Sequence, residues 1–299
     1  MNLFLYLSVV VIWGTTWIAI YAQQAAGSSA VTVAVFWRFL LASLVMLLML
    51  RLFRRLRPLT LRDHLFCLLQ GCCVFGFNFV CFYYAAAWIS SGLESVIFSM
   101  AVLYNAISNW IFFRQRPSVR LLPAALLGIG GIVALFWHDL RDTQASAGLM
   151  WGIGLSALGT LGFSLGNMIS NRHQQLKRDV LTTNSFGMLY GALVMAVLSL
   201  LQGGSLQPTW DLQWLGAVSY LAIFGSVIGF AAYFTLLGRI GSSQAAYSTL
   251  LFPLVALALS TRYERYEWHS SAILGLVMIL LGNLVMFVRW PAMWRRAMV

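Results

Sequence analysis

Charge is scarce in this chain. Charged residues fill 9% of its 299 positions, and only 8 residues are acidic; a soluble domain carries roughly 25% charged residues. Every aspartate (Asp63, Asp139, Asp142, Asp179, Asp211) falls in a predicted connection or at a segment end, so no intramembrane aspartyl dyad can form. His64, His138, His173 and His269 also sit at segment ends, where they are expected to face water or headgroups; none is placed to activate a serine, hold a metal or relay protons. No phosphate-cradling loop of the P-loop kind is present, which excludes ATP hydrolysis by that route without a partner. Cys67, Cys72, Cys73 and Cys81 share one apolar segment. They cannot staple distant loops, have no two-strand metal spacing, and read as small packing residues. No cofactor or metal is expected, and the chain is not read as an enzyme.

What is present is apolar sequence, 61% of the chain with a mean hydropathy of +0.82. A membrane-spanning helix needs about 20 apolar residues. Such stretches are predicted at Leu3–Ala22, Ala30–Leu50, His64–Trp88, Ser91–Phe113, Val119–Trp137, Gly148–Ser170, Thr182–Gln202, Gln213–Leu237, Ser242–Ser260 and Ser270–Arg289. A β-barrel would need alternating segments of about 10 residues, whereas Leu40–Leu50 and Ile273–Leu281 are apolar on every face. The expectation is an all-α integral membrane protein with ten transmembrane helices. No connection between them could hold a separate aqueous domain. Met1 and Asn2 supply no basic region, so the first segment is expected to remain as a spanning helix rather than a cleaved signal.

The net charge of +11 is explained by where the basic residues fall. With the first helix running outward, one set of loops collects Arg51, Arg54, Arg55, Arg57, Arg62, Arg114, Arg116, Arg120, Arg172, Lys177, Arg178, Arg239, Arg289, Arg295 and Arg296. The other set holds Arg141, Arg262 and Arg265 beside Asp139, Asp142, Asp211, Glu264 and Glu267. The positive-inside rule then puts both termini in the cytoplasm, and a nucleic-acid partner is not expected. Tryptophans near segment ends, among them Trp88, Trp110, Trp137, Trp151, Trp210, Trp214, Trp268, Trp290 and Trp294, read as interfacial anchors.

A displacement of about 150 residues aligns the chain with itself. Leu40–Met46 falls on Leu189–Met195, Val74–Phe77 near Val227–Phe230, Ile89–Ser91 on Ile240–Ser242, and Gly131 on Gly282. The order and near-constant offset support two five-helix repeats, 1–143 and 144–299, in one compact membrane domain. An odd number of spans per repeat makes the second copy enter from the opposite side. A 5+5 inverted-topology repeat of this kind can present a midplane site alternately to either face.

Several motifs then carry a resemblance. Trp13-Gly14-Thr15-Thr16-Trp17, Trp37-Arg38-Phe39-Leu40-Leu41-Ala42, Ile89-Ser90-Ser91-Gly92-Leu93 and Phe252-Pro253-Leu254, with the spacing of Gly128, Gly131, Gly275 and Gly282, resemble the EamA-type branch of the drug/metabolite transporter superfamily over essentially the whole chain. The chain departs from the pattern at Val102, where a proline is frequent, and at Arg114-Gln115-Arg116, where Gly-Glu-Arg is common. The resemblance implies a ten-helix carrier in the bacterial inner membrane, usually an exporter of amino acids, other small metabolites or toxic compounds.

Two charges, Arg38 and Glu94, fall well inside predicted spans, and an intramembrane charge is functional by default because lipid exposure costs at least about 2.5–3.5 kcal/mol. Both lie in the outer half, Arg38 some ~12 Å deep at 1.5 Å per residue. One reading is a static Arg38–Glu94 ion pair. The functional reading has Arg38 engage an anionic group of the substrate while Glu94 holds an ammonium or takes up a proton. Helical spacing adds polar faces: Glu94, Phe98, Ala101, Asn105, Ser108 and Asn109; Ser164, Asn167 and Asn171; Asn184, Gly187 and Tyr190; Gln244, Tyr247 and Ser248; with Gln70 and Asn78 on the third helix. Each alone is as well explained by an interhelical hydrogen bond. Together they predict a shared wet cavity, with Trp13, Thr16 and Trp17 as an aromatic wall for flat rings or cations.

The expected activity is transport of a small-molecule substrate, by export of amino acids or amphipathic metabolites through alternating access, with protons and lipid as further partners and a monomer or homodimer as the assembly. An importer, an uncoupled facilitator, an intramembrane enzyme and a non-transporting receptor are the alternatives.

Overall fold

The computed structural model describes residues 2–26, 30–116, 118–138, 146–241, 245 and 248–285. Among these no strand occurs, and the chain folds as antiparallel helices: α1 Asn2–Ala25, α2 Val31–Leu52, α3 Leu61–Ala85, α4 Ser91–Phe113, α5 Leu121–Leu135, α6 Ser146–Gln175, α7 Val180–Leu201, α8 Leu212–Ile240, α9 Ser248–Tyr263 and α10 Ser270–Val285. Seven of them (α1–α4 and α6–α8) are long and apolar enough to cross a membrane, while α5, α9 and α10 are shorter apolar helices over the described residues. Large apolar side chains point outward all along the bundle, for example Phe4, Leu48, Leu122, Met150, Val197 and Leu274. That inversion is what a lipid solvent selects.

The described aspartates start helices. Thr60 and Asp63 form a reciprocal capping box at α3, Asp179 accepts from the Thr182 N–H at 2.8 Å at α7, and Asp211 accepts from the Trp214 N–H at 3.0 Å at α8. An anionic acceptor there meets otherwise unpaired amides and the positive end of the helix dipole.

Two helices carry a π-helical stretch, Gly71–Phe77 in α3 and Leu221–Ile228 in α8. Packing is reciprocal in the same sense: α2 lies on α7 and α5 on α10, while α1 lies on α8 and α9 as α6 lies on α3 and α4. The α5–α10 crossing is close because Gly131 and Gly275 face each other. A Cβ on Gly131 would meet the Gly275 carbonyl at 2.8 Å, and one on Gly275 would meet the Leu135 amide.

Two expectations are corrected. His173 does not face water or headgroups but is fully buried, because α6 continues to Gln175 and sets its last turn against the start of α3, with the His173 Nε2 3.8 Å from Cys67 Sγ. Trp214 is not an interfacial anchor: it is 1% exposed, packed inward in the first turn of α8. Trp88, Trp110, Trp137, Trp151, Trp210 and Trp268 are exposed, as anchors are, and Trp290 and Trp294 lie outside the described residues.

Candidate functional site

The centre of the bundle is an aromatic chamber with one cation in its wall. Trp13 and Trp17 of α1 share an inward face, four residues apart as the helical period requires. Trp13 meets Phe163 of α6 at 5.8 Å, Phe230 of α8 at 5.0 Å and Tyr233 at 4.9 Å between ring centroids. Trp17 meets Phe82 of α3 at 5.0 Å and stacks on Phe252 of α9 at 6.2 Å. The rings of Trp13, Trp17, Phe82, Phe163, Phe230 and Phe252, with Thr16, Arg38 and Asn78, line a cavity of about 30 Å³, room for a water or two.

Arg38 is fully buried. Its Nε donates to Ser226 Oγ at 3.1 Å, its guanidinium lies 4.2 Å above the Phe79 ring, and Tyr83 stands beside it. Nη1 has no hydrogen-bond partner. The π-helical stretch of α8 makes this approach possible: a Cβ on Gly225 would lie 3.3 Å from Arg38 Nη2 and 3.2 Å from Thr16 Oγ1, and one on Gly229 would lie 2.5 Å from Trp13 Nε1. Trp13 Nε1 donates to the Gly225 carbonyl at 3.2 Å. Asn78 Nδ2 donates to the Gly159 carbonyl at 2.7 Å, tying α3 to α6.

Next to the chamber lies a buried polar node. Asn167 Nδ2 donates to Asn105 Oδ1 at 3.2 Å and to Tyr233 Oη at 3.1 Å, and Tyr233 joins the node to the ring of Trp13. Asn105 Nδ2 and Asn167 Oδ1 keep unused capacity. Ser108 and Ser164 bridge the same two helices at 2.9 Å.

The sequence-predicted residues thus divide. Trp13, Thr16, Trp17, Arg38 and Asn78 line the chamber, and Asn105 and Asn167 form the node beside it. Glu94 lies one turn before the chamber residue Phe98 on α4, fully buried, with neither carboxylate oxygen hydrogen-bonded. It is not paired with Arg38: the charged neighbour acting on it is Glu264. Tyr190 is elsewhere, with its hydroxyl 2.9 Å from His64 Nδ1 near the start of α3, and the Ser248 hydroxyl bonds back to the Ala245 carbonyl at 2.8 Å. Gln244 and Tyr247 lie outside the described residues. The expected wet cavity is an aromatic one, because the α4 and α6 stripes turn toward each other and bond through Asn105–Asn167 and Ser108–Ser164 rather than lining it. Sequence reasoning missed Ser226, Tyr83, Tyr233 and most of the phenylalanines. Only Phe98, on the polar stripe of α4, and Phe252, beside Pro253, gave a signal, since a phenylalanine in an apolar helix otherwise reads as lipid-facing.

At the end of the bundle that carries most of the arginines, Arg178 grips Asp63 with two nitrogens, Nη2 at 3.0 Å and Nε at 3.1 Å. Thr182 Oγ1 accepts from the Arg57 amide at 3.3 Å, and Gln174 donates to the Phe234 carbonyl at 3.3 Å. These bonds close that end across α3, α6, α7 and α8.

The model of the EamA-like transporter family matches residues 1–137 and 150–288. Protein PagO of Salmonella typhimurium is 24% identical over 93% of this chain and 90% of its own length. The uncharacterized inner membrane transporter YedA of Escherichia coli is 24% identical over 65% of this chain and 63% of its own, and the uncharacterized transporter YoaV of Bacillus subtilis 22% identical over 92% and 93%. One solved crystal structure covers 100% of this chain and 99% of its own with a TM-score of 0.69 at 15% identity, a likeness of fold alone. Helices built for lipid around a buried, cation-bearing chamber, and a family match over both parts of the sequence, lead to one assignment: the chain belongs to the EamA-like transporter family and is a multi-pass membrane transporter of small molecules.

Proposed function

We propose that the protein exports a small solute with a flat or apolar body and one anionic group across the bacterial inner membrane, by alternating access around the Arg38 chamber. The observation that carries this reading is the free Nη1 of a fully buried arginine inside a box of aromatic rings. An uncompensated buried charge is costly, and a carboxylate on the solute would supply the missing acceptor while its body lies against Trp13, Trp17 and the phenylalanines. A chamber of about 30 Å³ holds no such solute; it is the closed form, and α1, α4 and α9 must part to admit one.

Several observations support a ten-span, 5+5 inverted repeat with both termini cytoplasmic. The family model matches in two stretches, the helix contacts are reciprocal, and π-helical stretches recur 150 residues apart, at Gly71 and Leu221. The basic loops support a cytoplasmic position for the Asp63–Arg178 end. In this arrangement Glu94, fully buried and without a hydrogen-bond partner, is the group through which transport would be coupled to a cation.

The test is solute flux in proteoliposomes with a panel of amino acids and amphipathic acids and amines. Arg38→Ala should lower the flux of anionic-group substrates by about 100-fold, the scale of one lost charge-assisted pair, and Arg38→Lys should restore only part of it because a lysine lacks the planar fork. Equal flux by Arg38→Ala and the natural protein would refute the proposed role of the chamber.

A further inference from the structure

The start of α4 and the end of α9 meet at the bundle end opposite Asp63, and each brings a carboxylate there, Glu94 and Glu264, in unequal states. Glu264, just past α9 and partly exposed, is fully supplied with donors: the Ser91 N–H at 2.9 Å, the Ser91 hydroxyl, and the Ser260 hydroxyl at 2.9 Å. It sits at the N-terminal end of α4, where the helix dipole also favours an anion. Glu94, in the first turn of the same helix, is fully buried and has no donor on either oxygen. Glu264 is joined to this part of α4 through Ser91, three residues before Glu94, while α1, α6 and α9 pack against the same turns and neither Glu94 oxygen has a hydrogen-bond partner. The two acids therefore hold at least one positive charge too few. Burying a carboxylate without a partner is among the most unfavourable arrangements a protein can hold.

We propose that Glu94 and Glu264 form the binding site of a single monovalent cation, a proton or Na⁺, held between α4 and α9. Glu264 is the fixed partner: three donors hold its carboxylate in place, and it is partly exposed. Glu94 is the acceptor that the cation completes. The site ties two helices that also wall the chamber, through Phe98 and Phe252, at a point one turn from it. Its use for coupling rests on the transport reading above, but occupancy of the site does not.

The test reads thermal unfolding of the full chain in detergent by tryptophan fluorescence. Choline chloride is replaced by NaCl at constant ionic strength, and pH is varied separately without sodium. A saturable rise in midpoint with Na⁺ identifies sodium as the occupant. A midpoint that follows pH and ignores Na⁺ identifies the proton. In either case Glu94→Gln, which keeps the shape of the side chain, removes that dependence, and Glu264→Gln weakens the apparent affinity about ten-fold or more, as loss of a neighbouring charge requires. Glu267→Gln, an exposed carboxylate on the same connection, leaves it unchanged. The site is overturned if the midpoint follows neither cation, if Glu94→Gln keeps the full dependence, or if Glu267→Gln loses as much as Glu264→Gln. If Glu94→Gln yields no folded protein, Glu264→Gln decides alone. Solute flux by a protein whose unfolding ignores both cations removes the cation site and leaves the transport reading standing; a cation effect without flux does the reverse.

Discussion

The two ends of the bundle are closed by different chemistry. At the arginine-rich end a buried aspartate is gripped by two nitrogens of Arg178 and also accepts from Thr60, so its lone pairs are met from within the chain. At the other end Glu264 is held by Ser91 and Ser260 while its neighbour Glu94 has nothing. The first latch is complete in itself; the second lacks a positive charge. Two self-sufficient latches would hold both ends with no ligand able to shift the balance between them; one incomplete latch leaves a ligand something to act on.

The largest effect should come from breaking the complete latch. Asp63→Asn removes the ion pair and weakens the capping box of α3, and is expected to destabilise the protein by about 2 kcal/mol. That is below the roughly 3–5 kcal/mol of a fully buried pair, because the Arg178 side chain is 36% exposed. Opening should reach Cys67, which is fully buried one turn along α3. In a background with the other three cysteines replaced by alanine, maleimide should label Cys67 several-fold faster in Asp63→Asn, and the exchanged pair Asp63→Arg with Arg178→Asp should slow it again. Labelling unaffected by either change would show that this end is not a latch.

A smaller loss is expected at the opposite end. Ser260→Ala deletes one hydrogen bond to the Glu264 carboxylate, with two donors from Ser91 remaining, so unfolding should shift by only about 1 kcal/mol. Asn167→Ala, between the two ends, should cost about 1–2 kcal/mol because it strands Asn105 Oδ1 and removes a donor from Tyr233. If Ser260→Ala costs as much as Asp63→Asn, the ends are equivalent and the contrast drawn above fails.

The all-helical membrane architecture is legible in the sequence because lipid leaves few options: apolar length marks helices. The residues that line the chamber were half legible. Arg38 and Asn78 stood out as polar groups in apolar segments, and Trp13 and Trp17 by their spacing. The phenylalanines did not, since nothing local separates a ring that faces lipid from one that faces a cavity. Glu94 stands out as a charge inside an apolar segment, and of the two readings open to it the static pair with Arg38 does not form. The fold turns Arg38 toward Ser226 and Phe79 and leaves both Glu94 oxygens without a hydrogen bond. Glu264 belongs to a connection in sequence and to the start of α4 in space, a relation that only the packing of α9 on α4 creates. The burial of His173 was hidden for the same reason, because helix ends are the least certain part of a hydropathy reading.

The smallest predicted effect is also the most discriminating, because the two ends should respond to salt with opposite signs. Raising ionic strength shortens the Debye length from about 10 Å at 0.1 M to about 3 Å at 1 M. With choline chloride as the salt, so that no candidate cation is added, screening should weaken the attraction of Arg178 for Asp63 slightly and should relieve the repulsion between Glu264 and Glu94. Each shift should be under about 0.5 kcal/mol, since the contact groups are largely shielded from solvent. Unfolding midpoints measured across salt for Asp63→Asn and Glu264→Gln separate the two: the first variant should be stabilised by salt more than the natural protein, and the second less. Slopes that change from the natural protein's in the same direction in both variants would mean that the second end also closes on opposite charges, and that a cation is already supplied there by the chain itself.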